Sequence, residues 1–66
     1  MKIKRDVTYM EKPEYYYSNR VLIVKEAGDE FITGVFLNFE TNRHNSTKMR
    51  RSSLKKRFEV SPIQVR

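Results

Sequence analysis

The chain has 66 residues, room for one domain, with 14 Lys or Arg against 8 Asp or Glu and a formal net charge of +6. A fold of that length buries only about 60% of its unfolded surface, which excludes a large enzyme, a doubly wound nucleotide-binding fold and a membrane channel. There is no Cys, so disulfides, thiolate metal sites and a Cys nucleophile are excluded, and a small hydrophobic core has to hold the fold alone.

Met1 to Asp6 carries charges and no apolar stretch, so a secretory signal is not expected. The longest aliphatic run is Val21-Leu22-Ile23-Val24, far below the roughly 20 residues of a spanning helix. A cytoplasmic protein with no membrane partner is the expectation. Aromatic residues make up 12% and alternate with β-branched ones, while Gly and Pro number two each, which fits a folded chain better than a linker. One domain is expected over 1–66, with its core at about 20–60 and frayed ends at 1–5 and 64–66.

Ile3, Arg5, Val7 and Tyr9 share one parity and predict a first strand over Ile3–Tyr9. Met10 to Glu14, with Pro13, reads as a loop that leads into Tyr15-Tyr16-Tyr17. Arg20 to Glu26 is the clearest strand, because Val and Ile are stiff at χ1 and suit a pleated sheet. Its four consecutive apolar residues call for burial on both faces, or for a barrel strand. Ala27-Gly28-Asp29-Glu30 reads as a turn with Gly28 free to take a positive φ. Phe31 to Phe39 follows as the second arm of a hairpin, with Phe31, Thr33, Val35, Leu37 and Phe39 on one face and Ile32, Gly34, Phe36 and Asn38 on the other. Mid-strand Gly34 marks a bend or bulge, or else a close backbone approach to a ligand. Glu40 to Asn45 reads as a loop and Ser46 to Arg50 as a short strand. Ser52 or Ser53 is expected to cap a helical turn over Leu54–Phe58 that turns Leu54 and Phe58 to the core. Phe58 to Val60 returns to extended chain, and Pro62 stops it.

This order predicts a mainly β fold, a small SH3-like barrel or a strongly bent antiparallel sheet of about five short strands with one helical turn near the C-terminus. From about Arg20 to Val60 the chain resembles SH3-like small barrels. The resemblance rests on the hairpin at Gly28, the glycine-bent strand at Gly34, and Ser52-Ser53-Leu54-Lys55-Lys56-Arg57-Phe58 before the last strand. Small proteins of this kind are similar to ones found in bacteriophage and mobile-element genomes, which implies an accessory or host-directed role. The chain departs from KOW-type barrels in lacking their glycine-rich core motif.

Charge is unevenly distributed. Residues 1–40 hold six basic and seven acidic side chains, whereas 41–66 hold eight basic and one acidic. Arg43, Lys48, Arg50, Arg51, Lys55, Lys56 and Arg57 lie in one stretch without an acid. Such clustering suits a polyanion, because phosphate contacts release counterions, and it also suits a solvated surface that keeps a small protein soluble. Tyr15, Tyr16, Tyr17 and Phe36 are candidates for stacking or partner contact beside these cations, and Phe36 is equally suited to cover a small barrel. His44 is the single histidine and has no nucleophile placed by sequence. Asn45-Ser46-Thr47 matches a glycosylation sequon, which carries little weight without a signal peptide. Asp29-Glu30 supplies too few oxygens for a cation cage. No catalytic residue, metal or cofactor is therefore expected. The expected activity is non-enzymatic binding of DNA or RNA through residues 43–57. The alternative is a protein-interaction module, such as a phage-type inhibitor or adaptor that meets an acidic host protein. Homodimerisation is compatible with both.

Overall fold

Five antiparallel strands form one sheet in the computed structural model, which describes residues 2–15 and 19–65. The strands are β1 (Thr8–Glu11), β2 (Arg20–Ala27), β3 (Phe31–Asn38), β4 (Arg43–Arg50) and β5 (Phe58–Val60), in the spatial order β4-β3-β2-β1-β5. A 3-10 turn (Pro13–Tyr15) follows β1, and the helix α1 (Arg51–Arg57) joins β4 to β5. The sheet is open, with β4 and β5 as its edges. It curls enough for Phe58 of β5 to meet Phe36 of β3, ring centroids 6.1 Å apart.

Alternation along the strands divides the apolar residues between two faces. Tyr9, Leu22, Val24 and Ile32 point to the inner face, where Ile3, Leu54 and Phe58 complete the main core. Val21, Ile23 and Leu37 form a smaller cluster on the outer face, covered by Val65. The run Val21–Val24 is buried on both sides for this reason, as its composition required.

Several local expectations are corrected. The first strand begins at Thr8 and extends through Glu11, because Asp6 takes a left-handed φ of 63° and turns the chain. That turn sends Ile3 into the core, and the Lys4 amide donates to the Tyr9 hydroxyl at 2.9 Å. Gly28 does not use a positive φ. It sits in a tight turn whose N–H donates to the Phe31 carbonyl at 2.9 Å. β4 starts at Arg43, not Ser46, because the chain reverses over residues 39–42. There Asn38 Oδ1 accepts from the amides of Glu40 and Thr41, and Asn42 takes a φ of 57°. The helix starts at Arg51 directly after β4, with Arg50 as an N-cap whose side chain makes no capping bond, so neither Ser52 nor Ser53 caps it. Leu54 and Phe58 are both buried, but only Leu54 lies on the helix; Phe58 is extended and reaches the core as the first residue of β5.

Residues at the C-terminal end, expected to fray from Gln64, are held against β1. Gln64 Oε1 accepts from the Thr8 amide at 2.7 Å, and its Nε2 donates to the carbonyls of Thr8 and Ser61. The Val65 amide donates to Thr8 Oγ1. Residues 61–65 therefore lie over the outer face at β1, and their Val65 reaches the Val21–Ile23–Leu37 cluster.

Candidate nucleic-acid interface

The seven basic residues of 43–57 do not form one continuous patch. β4 pairs with β3 through the register Phe31↔Arg50, Thr33↔Lys48, Val35↔Ser46 and Leu37↔His44, which puts Lys48 and Arg50 on the outer face. Arg43 sits at the opposite end of the same strand, about 24 Å from Arg50 at the usual rise per residue. Lys55 and Lys56 are exposed on α1. Arg57 turns back toward the core, where its Nη2 lies 3.5 Å from Glu11 Oε2.

Phe31 is an aromatic that composition and charge clustering do not single out. It is 38% exposed on the outer face. Lys48 Nζ lies 4.7 Å and the Arg50 guanidinium 5.1 Å from its ring centroid. Cations at these distances are attracted by the ring quadrupole. Alternation alone could not have found it, because it shares its parity with Leu37, which is buried. The distinguishing signal is its position at the first residue after the turn, beyond the reach of residues 61–65.

Acidic partners sort the cations further. Glu30 Oε1 accepts from Arg50 Nη1 at 2.7 Å, both side chains being well exposed. Arg51 Nη1 donates to the Gly28 carbonyl at 2.6 Å and its amide to the Glu30 carbonyl. These two arginines therefore fasten the start of α1 to the β2–β3 turn. Among the described residues, Arg43, Lys48, Lys55 and Lys56 make no ion pair.

Of the aromatic candidates, Phe36 is half-buried, packs on the main core and carries the Arg20 guanidinium 3.9 Å above its ring. Tyr15 is half-buried in the 3-10 turn. Tyr16 and Tyr17 lie outside the described residues. Exposed His44 shares the outer face of β4, and Asp29 and Glu30 are exposed in the turn. Among the described residues no group of three or more His, Asp or Glu is close enough to hold a metal ion, and no helix is long and apolar enough to cross a membrane.

No protein family, curated protein or solved structure matches this chain. Its functional reading therefore rests on the geometry above.

Proposed function

We propose that the protein is a non-enzymatic nucleic-acid-binding module whose exposed cations on β4 and α1 hold phosphates. The observation that carries this reading is the open outer face of β3–β4, where Lys48 and Arg50 flank an exposed Phe31. Lys55 and Lys56, without acidic partners on the adjoining helix, extend the same chemistry. Contacts of this kind give affinity with little choice of sequence. The strand order, with a short helix between β4 and β5, supports reading the fold as an SH3-like barrel.

A salt titration of DNA and RNA binding tests the function. Log K is expected to fall steeply with log salt. Replacing Lys48, Lys55 and Lys56 by Gln is expected to flatten the slope by about 0.7–0.9 for each phosphate that is no longer neutralised. These lysines make the better probes, since Arg50 and Arg51 also fasten the turn. No binding to either polymer at low salt would sink the proposal.

A protein partner is the second reading, favoured by one apolar groove of about 230 Å³ at the end of the sheet. Met10, Val21, Phe39, Pro62 and Ile63 line it, and Phe39 and Ile63 are 57% and 73% exposed. The positive charge would steer such a module to an acidic surface. Retention of a partner from lysate after nuclease treatment supports this reading, and its loss supports the first.

A further inference from the structure

We infer that the polymer is single-stranded, with one unpaired base stacked at Phe31 and the neighbouring phosphate held between Lys25 and Lys48. The inference rests on the nucleic-acid reading above and adds to it a strandedness and a subsite.

The subsite is an open depression of about 480 Å³ on the outer face of β3–β4, lined by Lys25, Thr33, Val35, Ser46 and Lys48 with the backbone of Gly34. Two lysines and three hydroxyl-bearing residues (Thr33, Ser46 and Thr47), with no carboxylate in the lining, match a phosphodiester, which offers only acceptors. Lys25 reaches this face by ordinary alternation along β2, after Val21 and Ile23. The register then shifts, from Val24↔Gly34 to Glu26↔Thr33, just beyond it.

Phe31 stands two residues along β3 from Thr33, on the same face and about 7 Å away. The ring and the lysine-lined depression are thus neighbours on one surface. Stacking on an aromatic side chain needs a base whose face is free, as it is in a single strand and is not within a duplex. Phosphate-only binding would leave Phe31 without a part in recognition.

Glu30 is the acid bonded to this cluster, through Arg50. It competes with phosphate for that guanidinium. Glu30→Gln is therefore expected to tighten binding, whereas Lys25→Gln loosens it.

Fluorescence anisotropy tests the inference, with labelled oligothymidylate, oligouridylate and a DNA duplex of the same length at low salt. Single strands are expected to bind about tenfold more tightly than the duplex. Phe31→Leu is expected to weaken single-strand binding about tenfold, the size of one base stack, and to leave duplex binding unchanged. Phe31→Tyr retains the ring and the wild-type affinity. In the wild-type protein, the amide resonances of Phe31, Thr33 and Lys48 are expected to shift as oligothymidylate is added, a readout independent of how any variant folds. Equal affinity for single strand and duplex, with Phe31→Leu affecting neither, overturns the single-strand inference and leaves nucleic-acid binding standing. Resonance shifts confined to α1 overturn the subsite. Binding of neither polymer overturns the broader reading as well.

Discussion

A methyl group on Gly34 would sit 2.6 Å from the Ile23 carbonyl oxygen and 2.9 Å from Leu22 Cδ1. One of these neighbours is backbone of the paired strand, so relief requires β2 and β3 to part. Gly34→Ala is expected to cost at least about 2 kcal/mol in a denaturant melt, at the upper end of overpacking effects. The close approach is thus internal to the sheet. A second residue-scale constraint is Glu11, which is 3% exposed. Its Oε1 accepts from Arg20 Nε at 3.0 Å, and Arg57 approaches its other oxygen. Losing one member of a buried pair strands the remaining charge. Here the two arginine side chains keep 21% and 42% exposure, so water relieves part of the cost. Glu11→Gln is expected to destabilise by about 2 kcal/mol, measured as a lower denaturation midpoint with an unchanged slope.

Among the elements, the segment over residues 61–65 makes a sharp claim. Thr8 is fully buried, and the Gln64 side chain accepts from its amide and donates to its carbonyl. Gln64→Ala leaves that amide without its partner and is expected to cost about 1–2 kcal/mol, with faster amide exchange at Thr8. This contact was not legible in the sequence, since a polar Gln four residues after β5 gives no periodic signal. β2 and β3 were legible because Val21–Val24 and Phe31–Leu37 carry dense β-branched and aromatic patterning around a turn. Leu54 was legible as the apolar residue of a basic helical turn, whereas Phe58 reaches the core from β5 and not through helical spacing. β4 was half hidden, because Arg43-His44-Asn45-Ser46 has little β propensity and is drawn into the ladder by its partners on β3. The helix boundary was misplaced for a related reason. Arg50 and Arg51 are held by Glu30 and Gly28, contacts across 20 and 23 positions that outweigh a local serine cap. The candidate interface was legible as charge but not as a face. Lys25 joins it from β2, outside the basic run 43–57, and Phe31 through what residues 61–65 leave uncovered.

For the whole molecule, 14 cations on 66 residues repel one another, and the whole of the positive excess lies beyond residue 40. Salt screens that repulsion within about 10 Å at 0.1 M. Stability and binding should therefore respond to salt with opposite signs. Going from low to moderate salt is expected to raise the melting temperature by about 2–4 °C, equivalent to about 0.5 kcal/mol in a domain of this size. Under the proposed function, the affinity for nucleic acid is expected to fall over the same range. Parallel melts and titrations check both. Connectivity also sets an order of assembly. Tyr9 pairs with Val60 about 50 positions away, whereas β2, β3 and β4 are joined by short reversals. Local hairpins close in microseconds, and distant pairings wait on a rarer encounter. The meander that carries Phe31 and Lys48 should therefore form early, and Glu11 should meet Arg57 late. In reverse, β1 and β5 can part while the meander persists. The outer face of β3–β4 would then outlast the clamp that completes the fold.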